Sequence, residues 1–399
     1  MNDQPMAQGV APQWTARGVW QRLRTGEISA LPISVVLIVI WIVFQSLNGA
    51  FLSSDNLVNL MQQSAATGVI ALGAVLTLHL GQIDLSVGAV SGLAAAIVAV
   101  GSVRWGWPLG VAVLVALAAG VLVGLLYGAV HTRIGVPSFV FTLAGLLVVG
   151  GLQLRVLGVT GSVNLPFESW LVRFCQTSFI PAALSWSIVA AVVAVFVLVK
   201  LRDRARRLAA ELSAPSLASV LGSTLLLAAV LAGAVAYLGT NRGVGSVFAL
   251  FVGLVVLTDI ALRRTRWGRY VRAVGGDAEA ARRAGVPVRR VLVTVFVASS
   301  TLAALGGVLA VGRLAAANQA SGAVDVTLTA VAAAVIGGTS MYGGRGSAWS
   351  ALLGILIIQS ISTGLTLLNQ DQSVRSIVTG LVLAVAVVID ALQRRIRAE

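Results

Sequence analysis

Polar side chains placed inside apolar runs are where this chain could do chemistry, and they are few. Asp84 lies in GQIDLSVG (81–88), hard against an apolar run. A carboxylate at that depth is costly without a partner. It serves either as a charge in a pathway or as a helix cap that accepts from the N–H of Val87. Gln63, Ser86, Asn164, Asp325, Thr339, Ser340 and Asn369 are the other candidate pathway positions, with Gln62, Ser64, Thr67 and His79 nearby in the same runs. None of these has metal-ligand spacing, and two histidines with the single Cys175 do not make a zinc site. No GxxxxGK[ST] loop is present, so the chain does not bind ATP in that manner and needs no cofactor of its own. No GxSxG or HExxH pattern stands in a workable context. The available chemistry is therefore hydrogen bonding to a passing solute, not bond making, and the chain is read as a non-enzyme.

The elements that must hold these residues are membrane helices. The 399 residues are 58% apolar and only 11% charged, whereas soluble domains carry about 25% charged residues. Apolar runs at about 31–50, 57–80, 85–103, 107–130, 138–158, 180–199, 216–238, 245–262, 291–311, 325–338, 347–367 and 374–392 predict about 12 transmembrane helices in an all-α polytopic membrane protein. A polar tail (1–30) precedes a transmembrane region (31–392), and a short tail (393–399) follows it. Residues 200–215, KLRDRARRLAAELSAP, read as a basic linker forming a surface helix.

The net charge of +14 would suggest nucleic acid in a soluble protein. Here it follows from topology, because basic residues hold short loops on the cytoplasmic side. Starting inside, twelve spans place 22 of the 28 Lys and Arg in the cytoplasm and six outside. Both termini are then cytoplasmic.

Two Gly-rich breaks, GQIDLSVGAVSG (81–92) and GGTSMYGGRGSA (337–348), interrupt apolar runs in two weakly related halves. A broken helix exposes backbone polar groups that lipid does not satisfy, so such breaks point to a cavity or a protein-lined path. A third feature is cytoplasmic. The segment 263–290 holds nine Lys and Arg and a short helix with defined ends. Gly275 and Gly276 let the backbone turn, and Asp277 is the N-cap. Glu279 favours the positive end of the helix, while Arg282 and Arg283 favour the negative end. Gly285 stops the helix, and Pro287 bars its continuation.

With IDLSVG (83–88), VPSFVFTLAGLL (136–147), GRYVRAVGGDAEAARRAGV (268–286), VIGGTSMYGGRG (335–346) and GLTLLN (364–369), the chain resembles the permease subunit of bacterial ABC sugar importers of the ribose/xylose type, most like the xylose branch. The resemblance covers about 50–180 and 240–392, leaving 181–240 as an added helix pair. It implies import of a monosaccharide, a pentose such as xylose, across the inner membrane. It also implies a cytoplasmic ABC ATPase that binds ATP and Mg, a periplasmic sugar-binding protein and a second copy of the permease. Gly275, Gly276, Asp277, Glu279, Ala280, Ala281, Arg283 and Gly285 then form the ATPase-coupling element, with Asp277 standing where many relatives carry Asn. Two other readings stay open: an ABC permease for a nucleoside or a furanone signal, and an ion-coupled secondary transporter using Asp84.

Overall fold

The computed structural model describes residues 30–398, so all of the expected N-terminal tail but Ala30 lies outside the described residues. The described chain is helical apart from one small ribbon. In order it forms α1 (Ala30–Leu47), α2 (Ser54–His79), α3 (Val87–Val103), α4 (Leu109–Ile134), α5 (Ser138–Leu157), β1 (Ser162–Asn164), α6 (Trp170–Gln176), α7 (Ala182–Ala209), α8 (Leu217–Gly239), α9 (Ser246–Arg264), α10 (Arg266–Gly276), α11 (Ala278–Arg283), α12 (Val288–Leu314), β2 (Ala316–Asn318), α13 (Val324–Ile336), α14 (Trp349–Leu367) and α15 (Gln372–Ala398).

Among the described residues, eight helices are long and apolar enough to cross a membrane. The other four expected spans appear as the shorter apolar stretches Pro32–Leu47, Val87–Val103, Val324–Ile336 and Gln372–Val385. Two of these adjoin the Gly-rich breaks. The 13 residues of α13 rise about 20 Å at 1.5 Å each, short of the roughly 30 Å hydrocarbon layer. A half-length helix of this kind is what a break produces.

Helices α2, α3 and α12 form the centre, and α2 is buried along most of its length. Small residues allow this packing. Gly120, Gly124 and Gly128 recur every fourth residue on α4 and lie against the backbone of α12 at Ser300, Phe296 and Val293. In lipid, where there is no hydrophobic drive between helices, such a ridge permits the close contact that holds them together.

One local expectation is corrected. The basic stretch from Lys200 to Ala209 is not a separate surface helix but the continuation of α7, and only the residues around Glu211, at φ 55°, make the turn. Its Leu, Ala and Arg residues are good helix formers, so nothing interrupts the span. The polar stretch after α5 contributes β1, which pairs antiparallel with β2 through Val163 opposite Ala317.

Candidate functional site

The segment 263–290, the expected coupling element, is built as its residues dictate, with one change. Gly275 and Gly276 do not turn the chain; they are the last two residues of α10. The turn comes at Asp277, whose φ of −156° leaves the helical region. Its carboxylate accepts from the N–H groups of Glu279 and Ala280, both at 2.9 Å. At the other end Gly285 takes φ +82°. There the N–H of Val286 bonds to the carbonyl of Ala281 and that of Gly285 to Arg282, both at 3.0 Å, a Schellman closure. Ala281 points inward and joins an apolar cluster of Leu76, Leu80, Leu262, Val271, Val274, Val288, Val291 and Val295. Asp277, Glu279, Ala280, Arg283 and Gly285 stay exposed. Glu279 is not a free charge: Arg282 approaches it at 2.6 Å and Arg283 at 3.4 Å. The short helix is thus pinned to the ends of α2 and α12 by one alanine and shows a charged face outward.

Gly275 has a different purpose. A Cβ there would strike the carbonyl oxygen of His79. That carbonyl also accepts from the N–H of Gly344 at 3.0 Å. Gly343, at φ +88°, lies against the carbonyl of Gly275, and Gly81, at φ +67°, lies against Tyr342. The 263–290 loop and both Gly-rich breaks therefore meet at one junction, backbone against backbone. Thr339 and Ser340 are buried beside it: Thr339 flanks Gly346 together with the His79 ring, and the Ser340 hydroxyl accepts from the Tyr342 N–H at 3.3 Å.

The first break is satisfied by protein, as lipid requires. The N–H of Gly88 donates to Thr327 of α13 at 2.9 Å, and that of Leu85 to Thr142 of α5 at 3.1 Å. Asp84, 2% exposed, does not accept from Val87. Its Oδ1 accepts from the N–H and hydroxyl of Ser86 at 2.9 and 2.7 Å, and its Oδ2 has no hydrogen-bond partner among the described residues. One oxygen thus does the local work. Asp84→Asn keeps that acceptor and is expected to leave membrane level and uptake within about twofold of wild type, since the amide caps as well as the acid. Asp84→Leu strands the Ser86 N–H at a cost of about 1–3 kcal/mol and is expected to lower the amount of protein in the membrane. Immunoblots and uptake assays on both variants decide it. An Asn variant as damaged as the Leu variant shows that the charge itself is needed.

Beyond the junction, in the half of the bundle away from the 263–290 loop, a cavity of about 190 Å³ opens between α2, α3, α12 and the β2–α13 connection. Gln63, Thr67, Ser91, Arg313 and Ser321 give it polar walls, with Ala66, Ile70 and Gly307 among the apolar ones. Gln63 also accepts from Gln359 of α14 at 2.7 Å. Of the expected pathway positions the cavity takes only Gln63. Asn164 is exposed on β1, Asp325 is exposed in the first turn of α13, and Asn369 is exposed at φ 55° after α14. Asp84, Ser86, Thr339 and Ser340 belong to the breaks. Sequence reasoning missed Arg313 because it counts as one more outer-loop cation; the small residues preceding it, GGVLAVG (306–312), were the available sign of a tightly packed helix end. From Gln63 to His79 α2 rises about 24 Å, so α2 joins the cavity to the junction directly. Arg313 places α12 on the same connection, since its other end adjoins α11.

Comparison with known proteins gives a consistent result. The family described as branched-chain amino acid transport system / permease component matches residues 56–387. The chain is 34% identical over 363 residues to the xylose transport system permease protein of Escherichia coli (strain K12), covering 91% of this chain and 90% of that one. It is 30% identical over 377 residues to the fructose import permease protein of Rhizobium meliloti, covering 93% and 87%. It is 27% identical over 358 residues to the ribose import permease protein of Haemophilus influenzae, covering 89% and 91%. No solved structure matches.

Proposed function

This chain belongs to the branched-chain amino acid transport system / permease component family, as a sugar ABC permease of the xylose-permease type, and on that premise we propose that it imports a pentose such as xylose with energy from ATP hydrolysed by a separate subunit. It is a multi-pass inner-membrane protein, and its family consists of transporters, not enzymes. The observation that carries the reading is the junction at Gly275, His79 and Gly344, where the coupling loop meets both broken helices. An ATPase docked on α11 has a lever on α2 through that contact and on α12 through the Ala281 cluster, and these two helices reach the cavity. Gln63, Thr67, Ser91, Ser321 and Arg313 offer amide, hydroxyl and guanidinium groups to sugar hydroxyls. In this reading a periplasmic binding protein delivers the sugar, two copies of the chain flank the path, and twelve spans leave both termini in the cytoplasm. Residues 181–240 are an addition to the transport core, and 263–290 is the ATPase-coupling loop.

The test is a complex of permease, ATPase and binding protein reconstituted in vesicles. Uptake of xylose is expected to require ATP and to persist when ionophores dissipate proton and sodium gradients. Uptake that collapses with the gradients while ATP holds would instead make the chain an ion-coupled carrier. Preference for a nucleoside or a furanone over pentoses would reassign the cargo alone. The same vesicles report topology. Cysteine placed at Ser213 is expected to react with an impermeant maleimide only from the cytoplasmic face, and cysteine at Glu168 only from the outside. The native Cys175 contributes no background: it is buried, and burial pushes its thiol up to about 12, leaving almost no reactive thiolate. Labelling of both positions from one face contradicts the twelve-span arrangement.

A further inference from the structure

Among the described residues, the side-chain hydrogen bonds and the ion pair that tie the helix pair α7–α8 to the bundle lie at one end. There Ser54 donates to the carbonyl of Leu238 at 3.3 Å, Tyr237 donates to the carbonyl of Leu52 at 2.9 Å, and Arg242 pairs with Asp55 at 2.6 Å. The opposite end of α7 runs on. Its 28 residues rise about 42 Å, while the hydrocarbon layer takes about 30 Å. Counted from Ala182, the helix leaves the acyl chains near Leu201, so its remaining two turns lie at the depth of the phosphates.

Those turns are basic. Arg207 is matched by Asp203 at 3.1 Å, Arg204 bonds to the carbonyl of Pro215, and Lys200 lies 5.4 Å from the Phe196 ring centroid. Arg202 and Arg206 stand one turn apart on one face, exposed, with no carboxylate or carbonyl partner among the described residues. Directly above them the apolar face of the same helix is bare, with Val195 59% and Leu198 55% exposed. A protein partner with an acidic patch would match the arginines alone. A lipid matches both, since its phosphate adjoins its acyl chains.

We propose that Arg202 and Arg206, with the apolar face above them, form a binding site for anionic phospholipid that anchors the free end of the α7–α8 pair. The site goes beyond the transport reading and shares with it only the inward placement of 200–207, where anionic headgroups attract basic residues.

The test uses the full-length permease in nanodiscs of phosphatidylethanolamine with added phosphatidylglycerol, and native mass spectrometry of lipids retained on release. Wild type is expected to retain phosphatidylglycerol. Arg202→Gln/Arg206→Gln is expected to bind it about 30-fold more weakly, from the attraction ordinarily lost with two surface cations. Arg202→Lys/Arg206→Lys is expected to bind it nearly as wild type does, and phosphatidylethanolamine retention is unchanged throughout. Equal retention of phosphatidylglycerol by the Gln variant overturns the proposal, and normal sugar uptake by that variant leaves the transport reading standing. A Gln variant that keeps its lipid but loses the ATPase on purification also overturns it, assigning the patch to a protein surface.

Discussion

Gly275→Ala is expected to reduce ATP-driven sugar uptake by about tenfold or more, while Gly276→Ala next to it leaves uptake at the wild-type level. Helix propensity predicts the opposite of the first result, since both residues are helical and alanine favours a helix over glycine by about 1 kcal/mol. Space decides instead. A Cβ at 276 meets nothing, whereas one at 275 strikes the His79 carbonyl and nears the N–H of Gly344. Both obstacles are backbone, so neither swings aside as a side chain would. Overpacking of this kind costs about 1–3 kcal/mol, and every 1.4 kcal/mol is tenfold in an equilibrium. The clash also falls on the hydrogen bond from Gly344 to His79 that joins the two breaks. Equal uptake by the two variants would show that the loop does not act through this contact.

Glu279→Lys is expected to detach the ATPase from the permease without disturbing membrane insertion. Replacing the acid removes both ion pairs, to Arg282 and Arg283. It also sets three cations on a six-residue helix and puts one of them at the positive end of the dipole. Each loss is a few tenths of a kcal/mol at an exposed site, yet a helix this short has little reserve, because isolated helices below about 12 residues are marginal. Gly285→Val is expected to act in the same direction by another cause. No atom stands within 4 Å of a Cβ there, but the φ of +82° penalises it by about 1–2 kcal/mol. Co-purification of the ATPase with each solubilised variant reads both effects. Retention of the ATPase at the wild-type ratio in both would reduce the segment to a basic anchor.

What the sequence made legible was local. Hydropathy located the eight helices that are long enough to cross a membrane among the described residues, because a lipid-exposed helix must bond its backbone groups internally. The caps at Asp277 and Gly285 were readable because each has a local physical reason. The breaks were readable as breaks. What escaped was everything decided by a distant neighbour. Gly275 and Gly276 look like a turn in isolation, but 275 is glycine because His79 lies against it. The sequence leaves Asp84 open as a pathway charge or as a cap accepting from Val87, and in the structure the hydroxyl and N–H of Ser86 take its oxygen. Residues 200–209 looked like a linker because they are charged, yet nothing in them breaks a helix. Asn164, Asp325 and Asn369 are polar residues beside apolar runs, and a run's end is equally a place for exposed polar groups. Arg313 reads in the sequence as one more outer-loop cation, yet it lines the cavity.

The central claim is that movement of the coupling loop reaches the pathway through the backbone contact at Gly275. Its most direct test is the number of sugar molecules imported per ATP hydrolysed, measured in the same vesicles for wild type, Gly275→Ala and Gly276→Ala. The predicted result is a Gly275→Ala complex that still assembles and hydrolyses ATP but moves little sugar, beside a Gly276→Ala complex with the wild-type ratio. A Gly275→Ala complex that imports sugar at the wild-type ratio would contradict the claim.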